Sequence, residues 1–245
     1  MIKPENLLLI DIETVPMCKN YEELSPEFQR LWDKKSLLLD KENLDTERSF
    51  ADKGGIYAEF GKIICIGLGY FIKNNAQSNE GQPYALKIKS LFGDDEKDIL
   101  HQFGQVCNKF FRNATKQFCG HNIREFDIPY ICRRSFINQM PLPSILYDLQ
   151  NKKPWENPML DTLQFWKFGE YKNFTSIDLL STVLGISSPK DDIAGSDVAE
   201  VYWQQNDLQR IVHYCNKDVE TIAQVLMRLH GMPLLQTNDI VYMND

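Results

Sequence analysis

Apolar stretches of strand character alternate with segments of helical period along the chain. Asn6 to Thr14, Lys62 to Ile72, Tyr84 to Leu91 and Gln117 to His121 carry period-two or continuous apolar runs and are expected as strands, with a further short one at "PMLDT". Apolar positions at i, i+3, i+4 and i+7 predict helices over 95–111, 128–138, 176–184, 196–204 and 207–230. Such alternation predicts an α/β fold, a sheet covered by helices. No crossover helix fits between the second and third strands, and "NNAQSNEGQP" at 74–83 reads as a hairpin loop. The sheet therefore begins antiparallel, and the later helical connections make it mixed.

Two stretches interrupt the order. Residues 17–61 include the charge-rich "DKKSLLLDKENLDTERSFADKGG", too long for an ordinary loop, and are expected as an inserted surface segment with helical pieces. Periodicity ends at Gly231-Met232-Pro233, a helix stop, so 236–245 is expected as a C-terminal tail. With no internal repeat and no linker, 1–235 reads as a single domain.

Composition narrows the function classes. At 245 residues, 43% hydrophobic and 25% charged, the chain can bury one full core. Its net charge of −7 speaks against a broad basic surface gripping duplex nucleic acid, but permits contact with phosphate through metal ions. No apolar run approaches the roughly 20 residues of a membrane helix, and the N-terminus lacks a basic segment ahead of an apolar core. The expectation is a cytoplasmic protein with no membrane partner. Six cysteines without a C-x-x-C pair, mostly in apolar runs, read as reduced core residues rather than a zinc site.

Against this background three acidic features stand out. The first is Asp11 and Glu13 in "LLLIDIETVP", two residues apart on one strand and so on one face, with backbones about 6–7 Å apart. Partly buried neighbouring carboxylates repel and desolvate each other unless cations, hydrogen bonds or a shared proton compensate. The D-x-E string recurs elsewhere in this acid-rich chain; only this copy is enclosed by apolar residues. The second is Asp127 in "GHNIREFDIPYICRR", where a strand gives way to a helix near Pro129. Asp127 is placed either to cap that helix or to face the carboxyl end of the strand, where α/β sheets bind ligands, and both can hold. The third is "DLQRIVHYCNKDVETIAQVLMRLH", whose buried stripe is Leu208, Ile211, Val212, Cys215, Val219, Ile222, Ala223 and Leu226. At about 100° per residue, Tyr214 and Asp218 share a flank one turn apart while His213 points away, provided the helix already runs through residue 213.

Together, Asp11-x-Glu13, Asn122-x-x-x-Phe126-Asp127 and Tyr214-x-x-x-Asp218 resemble the three exonuclease motifs of the DEDD superfamily, over roughly residues 6–230. The last motif also contains the string of the histidine branch through His213; helix geometry favours the tyrosine branch. "EFGKIICIG" and "LDTLQFW…SIDLLSTVLGI" resemble the predicted exonucleases related to the proofreading domains of family B DNA polymerases. The resemblance implies a ribonuclease H-like fold and 3′→5′ hydrolysis of single-stranded DNA or RNA ends to nucleoside 5′-monophosphates, with DNA favoured. It implies Asp11, Glu13, Asp127 and Asp218 as ligands of two Mg²⁺ or Mn²⁺ ions, with Tyr214 orienting the attacking water. It further implies that Thr14, Asn122 and Phe126 hold the terminal nucleotide, although Asn122 also suits a backbone-satisfying role and Phe126 a core role. Asp161 and Asp178 are expected as a strand-end turn residue and a first-turn helix acid, and "SPKDDIAGSD" as a solvated loop with a helix cap. As no polymerase segment follows residue 245, proofreading within the same chain is not expected. The alternatives are an exoribonuclease, an inactive nucleic-acid-binding module of the same fold, or an interaction domain with structural acids.

Overall fold

The two longest apolar runs become neighbouring strands. In the computed structural model, which describes residues 2–39, 45–74, 82–147, 149–153, 156–186 and 192–243, β1 (Leu7–Pro16) and β2 (Gly61–Lys73) pair antiparallel, with Asp11 opposite Gly67 and Glu13 opposite Cys65. β3 (Tyr84–Phe92) returns antiparallel to β2, closed by the Asn74 amide donating to the Pro83 carbonyl at 3.0 Å. The expected hairpin loop itself falls mostly on 75–81, outside the described residues. β4 (Gln117–Gly120) lies parallel to β1, and β5 (Met159–Asp161) parallel to β4. With β6 (Ile240–Tyr242) beside β3, the resulting sheet is mixed, ordered β5-β4-β1-β2-β3-β6.

The outermost strand, β6 (Ile240–Tyr242), corrects the sequence expectation of a tail. It runs parallel to β3, and the following Met243 amide donates to Ile88 at 2.8 Å. Three residues are too few to carry a periodic signal, so the pairing was invisible in the pattern. Upstream, the Gln224 side chain both donates to and accepts from the Leu235 backbone (2.9 and 3.0 Å), tying the segment down.

Alternation along β1 feeds two cores. Leu8, Ile10 and Ile12 pack with Phe103, Phe118 and Ile131 beneath α3 (Glu96–Phe110) and α4 (Asp127–Ile137). Leu7 and Leu9 pack on the other face with Val219, Ile222 and Leu226 of α9 (Leu208–Leu229). The predicted stripe of α9 is buried apart from Leu208, which is half-buried.

The inserted segment contains α1 (Pro26–Leu39) and α2 (Thr46–Lys53), which close over Leu24, Trp32, Phe50 and Phe60. The Trp32 ring meets Phe60 and Phe50 edge-on at 5.0 and 5.4 Å, a small aromatic core of the segment's own. Short α5 (Ser144–Tyr147), α6 (Thr162–Lys167) and α7 (Ile177–Val183) connect the later strands. The single helix expected at 196–204 is instead a 3₁₀ turn, α8 (Val198–Glu200) and a π-turn over Val201–Gln205.

One buried ion pair fixes α4 in place. Arg134 grips Glu96 through Nε and Nη2 (2.9 and 2.6 Å) and donates Nη1 to the Ala58 carbonyl, while Glu96 also accepts from the Ile63 amide and Asn138. Every charged atom has a partner, the condition under which a buried pair is tolerated.

Candidate active site

β1 brings Asp11 and Glu13 to the face that α9 covers, since they continue the register of Leu7 and Leu9. A bulge between Glu13 and Thr14 ends that register immediately afterwards, a common device for re-aiming side chains beside a site. α9 approaches closely because β2 has glycines beneath it. A Cβ on Gly67 would lie 2.8 Å from the Cys215 sulfur and 2.8 Å from Val219 Cγ2, and one on Gly69 would lie 2.7 Å from Val219 Cγ1. Replacing Gly67 by alanine should push α9 outward and destabilise the fold by about 1–3 kcal/mol, the ordinary cost of overpacking a core contact. A Gly67→Ala variant with the wild-type midpoint in urea denaturation would contradict this spacing role.

Asp127 opens α4, and its carboxylate turns back to the sheet instead of capping through Phe126. Oδ1 accepts the Ile12 amide at 3.1 Å. β4 pairs with β1 only as far as Leu9, so this amide needs another acceptor, and Asp127 supplies it. The helix start is thereby locked between Asp11 and Glu13 along the chain.

On α9 the helix runs unbroken from Leu208, and the Tyr214 hydroxyl donates to Asp218 while His213 is exposed. The condition attached to the sequence geometry is met. The Cys215 thiol donates to Asp11 Oδ2 at 3.6 Å, and single ligand atoms of Asp11, Glu13 and Cys215 lie within 4.8 Å of one another.

These groups perturb each other strongly. Burial, then Asp218 and Asp127, hold the Asp11 carboxyl well above the ordinary range. Burial, then Asp11 and Asp218, do the same to Glu13. Asp127 is pushed up to about 7, mainly by burial, with Asp161 and Asp218 adding to the rise and hydrogen bonds from its own amide and Ile12 opposing it. Burial and the nearby Asp218, Glu13 and Asp11 raise Tyr214, keeping it a phenol. The Cys215 thiol is raised first by its hydrogen bond with Cys65, then by burial, and stays protonated. Asp11 and Glu13 on β1 and Asp127 on α4 thus lie in one field that opposes their ionisation, to which Asp218 on α9 contributes. An all-oxygen set of this kind suits hard cations such as Mg²⁺ or Mn²⁺, and a neutral thiol does not compete for them.

A pH dependence follows. A carboxyl raised from 3.8 to about 7 binds more protons folded than unfolded, so metal-free stability falls as pH rises through that window. Thermal unfolding in chelator should show Tm falling from about pH 4 to pH 7, and Mn²⁺ should raise Tm more at pH 8 than at pH 5. A metal-free Tm that climbs across this range would contradict the shared field.

The residues expected to hold a nucleotide are placed as follows. Thr14 donates its hydroxyl to the Gly55 carbonyl at 2.8 Å. Phe126 packs at the edge of the core, 5.4 Å from the Tyr130 ring. Asn122 is held at φ +64°, its amide donating to Asp161 Oδ1 at 3.0 Å, and its side-chain Oδ1 is buried without a partner. Asp161 has a larger role than a turn residue. It is buried and accepts the amides of Asn122, Arg124, Leu163 and Gln164, joining the start of α6 to the turn that leads into Asp127. Only an acid ending a short strand hints at this; Leu163 and Gln164 are local, but Asn122 and Arg124 lie 39 and 37 residues away in sequence.

With the geometry established, comparison with known proteins places the chain. The family model described as predicted 3′-5′ exonuclease related to the exonuclease domain of PolB matches residues 75–234. The chain belongs to this family. The match takes in Asn122, Asp127, Tyr214 and Asp218, while β1 with Asp11 and Glu13 lies ahead of it. Among solved structures, the family B DNA polymerase from the hyperthermophilic archaeon Pyrobaculum calidifontis is similar over 92% of this chain, at 14% identity and a TM-score of 0.53. The likeness shows a shared ribonuclease H-like fold, and the chain spans only 24% of that polymerase. The yeast NOT1 MIF4G domain co-crystallized with CAF1 also matches, at 14% identity over 85% of this chain and 81% of that one, but its TM-score of 0.37 bears no weight. No curated protein matches significantly. Among the described residues, no helix is long and apolar enough to cross a membrane.

Proposed function

We propose that this family member is a 3′→5′ exonuclease that removes nucleoside 5′-monophosphates from single-stranded ends, DNA ahead of RNA, with Asp11, Glu13, Asp127 and Asp218 holding two Mg²⁺ or Mn²⁺ ions. The observation that carries the reading is the raised carboxyls of Asp11, Glu13 and Asp127, each pushed up in part by Asp218, a repulsion among acids from three elements that divalent cations relieve. Such ions supply the positive charge that activates water and stabilises the leaving 3′-oxygen. The chain's own groups do the rest. Tyr214, protonated and anchored on Asp218, presents a hydroxyl that orients water as a hydrogen-bond partner rather than as a base. The Ile12–Asp127 bond keeps α4 from drifting, which preserves the spacing of the acids. Asn122, with a free buried oxygen beside the acids' helix start, is the group best placed to receive a donor from the terminal nucleotide.

End-labelled single-stranded DNA and RNA, incubated with Mg²⁺, Mn²⁺ or chelator, test the reading: the ladder should shorten from the 3′ end only with metal, and faster on DNA. Cleavage in chelator would overturn it, and no cleavage of either substrate would leave a binding module. Within this site, Tyr214→Phe should lower single-turnover rates by roughly tenfold to a hundredfold and His213→Ala far less. The reverse ranking would move the site to the histidine.

A further inference from the structure

From the last turn of α6 into its link to α7, the sequence "FWKFGEYKNF" places an aromatic residue at every third position: Phe165, Phe168, Tyr171 and Phe174. Instead of being buried, these side chains are 41%, 86%, 93% and 64% exposed. The intervening Trp166 packs inward with Leu180 and Val225, so the segment is anchored by one ring and displays the others. The Phe165 and Phe168 rings stand 6.2 Å apart, and Phe165 also lies 5.0 Å from the His230 ring. Phe168 holds a left-handed backbone at φ +48°, followed by Gly169 at +89°, which turns the chain back towards the sheet.

The far end of this row reaches the candidate site. Phe174 meets the His121 ring edge-on at 6.4 Å, and His121 donates Nε2–H to the Thr175 carbonyl at 2.8 Å. His121 directly precedes Asn122, and the row extends from there towards His230, about 18 Å of helix beyond Asp218. Lys167 and Lys172 are interleaved with the rings, and the one acid among them, Glu170, is engaged by Asn173.

Four exposed aromatic side chains within ten residues exceed the singly scattered apolar residues that are normal on a surface. We infer that Phe168, Tyr171 and Phe174, with Phe165, form a stacking row for the unpaired bases upstream of the terminal nucleotide, single-stranded nucleic acid being its occupant. The proposal rests on the exonuclease reading for the position of the 3′ end. Three features favour this occupant over a protein: aromatic rather than aliphatic composition, interleaved lysines, and continuity with the Asn122 turn. Stacking also explains how a chain of net charge −7 grips a polyanion, since ring–base contact does not depend on counterion release.

The test is fluorescence anisotropy of labelled oligothymidylates in chelator, comparing a trinucleotide with a decanucleotide. Wild type should bind the longer strand more tightly. The Phe168→Ala/Tyr171→Ala/Phe174→Ala variant should lose about tenfold to a hundredfold in affinity for the decanucleotide and bind it little better than the trinucleotide. A companion variant with leucine at the three positions should lose nearly as much, because it keeps apolar area without the rings. Since all three residues are exposed, an unchanged Tm should accompany each loss. The proposal is overturned if wild type shows no length dependence, if the alanine variant keeps it, if leucine restores it, or if the alanine variant changes self-association instead of binding. Length-dependent binding by a wild type that cleaves nothing with Mn²⁺ would sink the exonuclease reading and leave the row standing. Metal-dependent cleavage with unaltered length dependence in the variant would do the opposite.

Discussion

Replacing Asp11 by asparagine is expected to lower exonuclease turnover by roughly a thousandfold or more while raising the metal-free melting temperature. The two effects have one cause. In the folded chain, burial and the proximity of Asp218 and Asp127 oppose the charge on Asp11, so a neutral isostere relieves the native state. The same neutral group has lost the anionic oxygen needed by a hard cation. For a chain of this size, each kcal/mol of repulsion removed raises Tm by about 2–4 °C. Differential scanning calorimetry in chelator, read beside single-turnover rates, checks both halves. Loss of activity with a fall in metal-free Tm would mean that Asp11 is a structural residue, because the repulsion would then not exist.

The second large effect lies away from the acids. Arg134→Ala should cost roughly 3–5 kcal/mol of stability, since it strands the Glu96 carboxylate in a site where both partners are 7% exposed. Glu96 would retain the Ile63 amide and Asn138 but no countercharge. The pair joins α3 to α4, and α4 carries Asp127, so residual folded protein should also lose activity. Replacing both residues together, Glu96→Leu with Arg134→Met, should recover most of the stability, because an apolar pair of similar volume needs no desolvation. Urea denaturation of the single and double variants measures this directly. A single variant costing less than about 1 kcal/mol would show the pair to be a surface-like contact.

How far the sequence could be read depended on the range of the interaction. The first strands, their antiparallel start and the α9 stripe were legible because period two and period 3.6 are local properties of the chain. Helix geometry also placed Tyr214 beside Asp218 and turned His213 outward, since an unbroken helix fixes both from spacing alone. Interactions between distant residues were not legible. The reach of Asp127 to the Ile12 amide spans 115 positions, and its sequence context suggested a helix cap. Asp161 looked like a turn residue because its acceptor role towards Asn122 and Arg124 exists only once β4 and β5 are side by side. Cys215 read as a core thiol, and it is one; its contact with Asp11 follows from glycine at position 67, which lets α9 settle onto β2. β6 leaves no mark in the pattern because three residues on a sheet edge carry no period.

On the proposed reading, acids from β1, α4 and α9 converge to hold divalent cations. Anomalous scattering from a crystal soaked in Mn²⁺ tests it most directly. The account predicts manganese peaks bounded by Asp11, Glu13, Asp127 and Asp218, absent from Asp11→Asn crystals. Saturating Mn²⁺ with no peak among these carboxylates, in a crystal that shows the ion elsewhere, would contradict it.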